Sequence, residues 1–156
     1  MRIHLVAVGK RMPAWVASGF NEYNKRLPRE FRLNLVEVAP VIRAKSTTTQ
    51  KVLAEEARRI QAAIPDNAMV IALDEHGVHF DSNTLARKIQ AWTQQGRDLA
   101  FIIGGADGLD AGLKQSADML WSLSPLTLPH ALTRVILAEQ IYRAWTILQK
   151  HPYHRD

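Results

Sequence analysis

Apolar runs of strand length recur along this chain and alternate with stretches in which apolar residues return every three or four positions. Strands are expected at Ile3 to Val8, Leu33 to Val38, Met69 to Leu73, Leu99 to Ile103 and Met119 to Leu123. Helical spacing joins Trp15, Val16, Phe20, Tyr23 and Leu27, then Val52, Leu53, Ala57, Ile60 and Ile64, then Leu85, Ile89 and Trp92 behind a cap at Ser82. A shorter helix follows Asp110, and a long one runs from about His130 to Gln149. Strands that lack polar alternation need cover on both faces, which helices between consecutive strands supply. The expected fold is therefore α/β, a mainly parallel sheet flanked by helices, in one domain over residues 1–156. Ala39 to Thr48 and Asp74 to Asp81 fit neither period and are expected to be the mobile segments.

The absence of cysteine removes thiol nucleophiles, disulfide frameworks, zinc knuckles and iron–sulfur sites, and points to a reducing, cytoplasmic compartment. The six histidines form no paired arrangement with carboxylates that would hold a metal, so none is expected. Apolar runs such as Ala68 to Leu73 are too short to span a bilayer, and the opening MRIHLVAVGK reads as a first strand rather than a signal segment. Charge is unevenly placed. Residues 1–59 hold 12 basic residues against five acids, a formal +7, whereas the whole chain carries +5. Lys10, Arg11, Lys25, Arg26, Arg29, Arg32, Arg43 and Lys45 fall mostly near element ends, where cations can reach a polyanion. The same residues suit a plain solvated face equally well.

In parallel α/β sheets ligands sit beyond the carboxyl ends of the strands. Two loops there stand out. Gly104-Gly105-Ala106-Asp107-Gly108-Leu109 follows the FII strand and permits positive φ and close backbone approach. It is neither a dinucleotide fingerprint nor a P-loop, and read alone it is also an ordinary tight turn. Leu123-Ser124-Pro125-Leu126-Thr127-Leu128-Pro129-His130 is apolar yet stiffened by two prolines, with backbone groups that have no obvious ladder partner. It could clasp a flat heterocycle between leucines, or simply pack beneath the last helix.

In that helix Glu139, Arg143, Thr146 and Lys150 make one polar stripe, while apolar residues occupy most of the remaining circumference. Cover by its own sheet and by a second subunit, in a symmetric dimer, is the expectation. The closing His151-Pro152-Tyr153-His154-Arg155-Asp156 combines an aromatic face, a proton-handling imidazole and a guanidinium, although a frayed terminus accommodates the same residues.

The FII-Gly104 to Leu109 loop, the block Ser122 to His130, the segment Arg134-Val135 through Tyr142-Arg143-Ala144-Trp145, and the closing HPYHRD resemble the ribosomal RNA large subunit methyltransferase H family of the SPOUT superfamily. The likeness runs from end to end and includes the opening LVAVGK and Met12-Pro13. It implies a SPOUT-type fold with a carboxy-terminal trefoil knot and a homodimer whose active site is completed by the partner's tail. It implies methylation, by S-adenosylmethionine, of N3 of a pseudouridine in 23S rRNA within the assembled ribosome. Carried over, the cofactor residues are Leu73, Gly104, Leu123, Ser124, Pro125, Leu126, Thr127 and Leu128, and those handling substrate are His130, Glu139, Arg143, Tyr153, His154 and Arg155. Ala106-Asp107 stands where family members often have Pro-Glu, and Pro125 replaces a residue that is often smaller. Competing expectations are a non-catalytic ribosome- or RNA-binding protein of the same fold, a SPOUT methyltransferase acting on tRNA, and a phosphate-binding hydrolase built on the glycine loop.

Overall fold

The computed structural model describes residues 1–155; Asp156, last of the closing motif, lies outside the described residues. Five parallel strands, β1 (Ile3–Val8), β2 (Leu33–Val38), β3 (Met69–Val78), β4 (Leu99–Ile103) and β5 (Met119–Trp121), form one sheet in the order β2-β1-β4-β3-β5. Helices α1 (Ala14–Asn24), α2 (Thr49–Ala63), α3 (Ser82–Thr93), α4 (Ala111–Ser116) and α5 (His130–Leu148) connect and cover it.

Side chains alternate between the two faces of a strand, and β1 shows it directly. Ile3, Leu5 and Ala7 join one core with Phe20 of α1, Leu85 and Ile89 of α3, and Leu137 and Ile141 of α5. Val6 and Val8 join the other core with Ile60 of α2 and Leu113 of α4. Burial on both sides explains why these strands read as continuous apolar runs. α5 packs against both α1 and α3, so its wide apolar circumference is largely met within the chain. Leu132 and Ile136 remain half-buried outside both core clusters.

Three expectations shift. Asp74 to Asp81 is not a mobile loop, because β3 continues to Val78 through an irregularity that sets both Leu73 and Val78 against Trp121. Gly77 allows that return: a Cβ there would stand 2.6 Å from the Leu120 carbonyl carbon. β5 stops at Trp121, two residues early: Ser122 N–H still bonds the Val78 carbonyl, and the Ser122 hydroxyl then holds the Ser124 carbonyl in a turn. The cap of α3 is Asp81, whose carboxylate accepts from Thr84 N–H at 2.8 Å, and Ser82 is the first helical residue. Among the described residues no helix is long and apolar enough to cross a membrane.

Candidate active site

The glycine loop after β4, the apolar loop after β5 and the irregular part of β3 enclose a cleft of about 690 Å³. Its apolar lining comes from Leu73, Ile103, Leu123, Leu126 and Leu128, and its ionisable groups are Asp74, Glu75, Asp107, Lys114, His76 and His130. The glycine loop is shaped by its own backbone. Gly108 turns the chain at φ +80° and donates its N–H to Gly105 O at 3.1 Å, and a Cβ on Gly104 would strike the Gly108 carbonyl.

Side-chain hydroxyls organise the apolar loop. Ser122 Oγ donates to the Ser124 carbonyl at 2.8 Å, and Leu126 N–H donates to Ser124 Oγ at 3.0 Å. Thr127 Oγ1 donates to Glu75 Oε2 at 2.6 Å, tying this loop to β3. Across the cleft Lys114 pairs with Asp74 at 3.6 Å. The volume lies in the range of small-molecule sites. With acids outnumbering the single lysine, the lining favours a ligand that bears positive charge beside a flat apolar ring.

At the cleft rim His130 opens α5. Its Nδ1 is buried without a hydrogen-bond partner among the described residues. One turn on, Arg134 is 2% exposed and donates to Glu37 Oε2 at 2.6 Å and Gly9 O at 2.8 Å. Gly9, at φ +120°, is closed in by Met12, Arg134 and His130. The guanidinium therefore fixes the first turn of α5, and His130 with it, against the ends of β1 and β2.

The tail folds back on α5 and forms a separate cluster. Glu139 accepts from Arg143 Nε at 2.9 Å and from the Tyr153 hydroxyl at 3.1 Å, while the Arg143 guanidinium lies 5.1 Å from the Tyr153 ring centre. Tyr153 also meets Tyr142 edge-on, with ring centres 4.7 Å apart. Burial, then the Glu139 charge and hydrogen bond, push the Tyr153 phenol up to about 12. Tyr153 thus stays protonated near neutral pH. His154 Nδ1, like that of His130, is buried without a partner among the described residues.

The structure brings Leu73, Gly104, Leu123, Ser124, Leu126, Thr127, Leu128 and His130 into one cleft and leaves Pro125 exposed outside its lining. Glu139, Arg143 and Tyr153 sit together elsewhere, nine residues along α5 from His130, about 14 Å of axial rise. Neither they nor His154 and Arg155 line the cleft of their own chain. Arg134, Glu75 and Asp107 were not legible as site residues. Only Arg134 gave a signal, as a charge outside the polar stripe of an otherwise apolar helix. Among the described residues no group of three or more His, Asp or Glu gathers as a metal site.

The parallel sheet, with a glycine loop and an apolar loop closing over its carboxyl ends, places a small-molecule cleft where α/β folds hold their ligands. The family model described as predicted SPOUT methyltransferase matches residues 1–154, and the chain belongs to that family. Among curated proteins it is similar to the ribosomal RNA large subunit methyltransferase H of Burkholderia thailandensis, 56% identical over 155 residues and covering 99% of each chain. The protein of the same name from Burkholderia mallei matches at the same identity and coverage. Solved structures share the fold at low identity. A probable methylase family protein from Haemophilus influenzae aligns with a TM-score of 0.58 at 14% identity, over 97% of this chain and 69% of that one. A probable methyltransferase from Bordetella pertussis aligns with a TM-score of 0.57 at 15% identity, over 92% of this chain and 95% of that one.

Proposed function

We propose that this chain, as a cytoplasmic homodimer of one-domain subunits, transfers a methyl group from S-adenosylmethionine to N3 of a pseudouridine in 23S rRNA of the assembled ribosome. The observation that carries the reading is the single cleft in which Leu73, Gly104 and the loop Leu123 to Leu128 converge at the strand ends. The name of relatives 56% identical over nearly the whole chain supports rRNA as the substrate. Separation of the Glu139–Arg143–Tyr153 cluster from the cleft supports a site completed by the partner's tail, and half-buried Leu132 and Ile136 support a subunit contact along α5. The placement of β5 beside β3 rather than β4 is in keeping with a carboxy-terminal trefoil knot.

S-adenosylmethionine, when bound, supplies a methyl group on a positively charged sulfur, and the C–S bonding pair stays with sulfur on transfer. The leucines of the cleft exclude water and flank the flat ring, Ser124 and Thr127 contribute backbone groups from the loop that Pro125 stiffens from outside the lining, and Glu75, beside the ion-paired Asp74 and Asp107, complements the positive charge. The acceptor N3–H must give up its proton as the new N–C bond forms. His130, which lines the cleft and whose buried Nδ1 has no hydrogen-bond partner among the described residues, is assigned that proton, with His154 as the other imidazole available from the partner's tail. Arg143 and Arg155 hold phosphate or base oxygens, Tyr153 offers a stacking face, and Glu139 orients Arg143. The protein's main contribution is alignment of donor and acceptor.

Mass mapping of rRNA and tRNA from a strain lacking this protein tests the reading. The expected result is one methyl group missing from a 23S pseudouridine with tRNA unchanged, and intact rRNA methylation overturns it. Calorimetry with S-adenosylmethionine separates an enzyme from a pure binding module, which shows no saturable heat.

A further inference from the structure

A second cavity, of about 340 Å³, adjoins the cofactor cleft. It opens between the loop after β1 (Gly9, Lys10, Met12), the segment after β2 (Pro40, Val41, Arg43) and Glu56 of α2. Gly105, Ala106, Asp107 and His130 line both spaces and form the wall between them. Its position in the sheet is the one where ligands collect in α/β proteins. β1 and β4 are neighbours, but the chain leaves β1 toward β2 and leaves β4 toward β5 on the other side, so their carboxyl ends diverge.

Glu56 is the cavity's distinctive group. It is 7% exposed, a level that carboxylates seldom reach without a full set of partners. Its Oε2 accepts from Val41 N–H at 3.2 Å, the one hydrogen bond that it makes among the described residues. Its Oε1 is turned toward Gly105, 3.5 Å from where a Cβ on that residue would stand. Gly105 lets the backbone of the shared wall pack close to this oxygen, which lines the cavity without a hydrogen-bond partner among the described residues. Lys10 and Arg43 stand exposed at the rim, where a nucleotide's phosphate would pass, and Arg43 is held there by its ion pair with Asp107.

We infer that this cavity is the acceptor pocket, and that Glu56 selects pseudouridine over uridine. The inference rests on the proposed function. A base that is to be methylated at a ring nitrogen must leave its stack and enter a pocket beside the methyl donor. Pseudouridine differs from uridine in presenting a second ring N–H, at N1, on the far side of the C2 carbonyl from N3. A fixed carboxylate oxygen accepts from N1–H while N3 faces the shared wall and His130. Uridine turned into the same pose presents a C–H to Glu56 and leaves Oε1 of the buried carboxylate unpaired. Sites built to hydrogen-bond a group reject the analogue that lacks it far more strongly than apolar pockets reject a change of size.

The test measures methyl transfer by the full-length protein to ribosomal particles that carry either pseudouridine or uridine at the acceptor position. In wild type the ratio of the two kcat/KM values favours pseudouridine, and in Glu56→Gln, whose amide can still accept from Val41 N–H, the ratio falls tenfold or more. A ratio that Glu56→Gln leaves unchanged overturns the inference while the proposed function stands. A wild-type protein inert on both particles overturns the function and the inference together. Val41→Trp narrows the cavity from a half-exposed loop position and keeps the backbone N–H that Glu56 uses. Its transfer rate is expected to fall at least tenfold with S-adenosylmethionine affinity within twofold of wild type, and undiminished transfer excludes the cavity as the acceptor pocket.

Discussion

Arg134 donates to Glu37 at 2.6 Å across the carboxyl ends of β1 and β2, and its second terminal nitrogen binds the Gly9 carbonyl at 2.8 Å. This link joins the first turn of α5, which carries His130, to the loop after β1, which lines the smaller cavity. Arg134→Met removes a nearly inaccessible charge and leaves the Gly9 carbonyl and the Glu37 carboxylate without their donor. The expected loss is about 3 kcal/mol, read from the urea midpoint at constant slope. Glu37→Gln keeps an acceptor for the guanidinium at a 35% exposed side chain but removes the countercharge of a nearly inaccessible Arg134, and is expected to cost about 2 kcal/mol, less than Arg134→Met. Equal effects from the two variants would contradict this assignment.

Gly104 is required by the backbone opposite it. Gly104→Ala puts a methyl against the Gly108 carbonyl and forces the loop open. Calorimetry is expected to show S-adenosylmethionine affinity reduced at least tenfold, with a far-ultraviolet dichroism spectrum like that of wild type. Gly96, also at positive φ, has open space where a Cβ would stand, so Gly96→Asn is expected to leave cofactor affinity unchanged.

The Tyr153 phenol, pushed up to about 12 by burial and by Glu139, gives stability a definite pH dependence. An unfolded tyrosine loses its proton near pH 10, so at higher pH the folded state holds a proton that the unfolded state has released. Stability contributed by the neutral phenol is present below pH 10 and is lost as pH rises toward 12. Urea midpoints measured between pH 9 and pH 11.5 should fall less in Tyr153→Phe than in wild type. Parallel slopes would show that Tyr153 titrates normally.

Of the basic residues that the sequence groups together, all seven of Lys10, Arg11, Lys25, Arg26, Arg29, Arg43 and Lys45 are exposed, but they are not equally available. Lys25 and Arg26 pair with Glu22, and Arg43 pairs with Asp107. Lys10 and Arg11 make no ion pair among the described residues and lie beside the acceptor cavity. Reversing both to Glu is expected to weaken ribosome binding and to reduce the slope of log affinity against log salt by about two. Reversing Lys25 should change it less. An unaltered slope in the Lys10–Arg11 variant removes this surface from the interface.

The strands that bear both cores were legible because residues buried on both faces leave nearly continuous apolar runs, as Leu99 to Ile103 does and as Ile3 to Val8 does apart from His4. The far end of β3 was not. Asp74, Glu75 and His76 break both periodicities, and the strand continues only because β5 is present to pair with Val78 after the irregularity. Gly104 and the loop after Leu123 could be chosen from their place after strands, Leu73 came with the family resemblance, and they do share a cleft. Glu56 could not, and Arg134 stood out only as a charge off the polar stripe, because each is one charged residue on a helix until the fold shows how little solvent reaches it. The polar stripe through Glu139 and Arg143 was visible as spacing, whereas its distance from the cleft in its own subunit required the course of α5.

That distance makes subunit complementation the most direct test of the central claim, a methyl-transfer site assembled from two chains. One chain carries Gly104→Ala, which disables its cleft, and the other lacks residues 151–156, which removes its tail. Each homodimer should be inactive on ribosomes. Co-expressed and purified as the mixed dimer, the pair retains one intact cleft facing one intact tail, and about half the wild-type rate per dimer is expected. A mixed dimer as inactive as either parent would place the cleft and the tail of one site in the same chain and contradict a site shared between two chains.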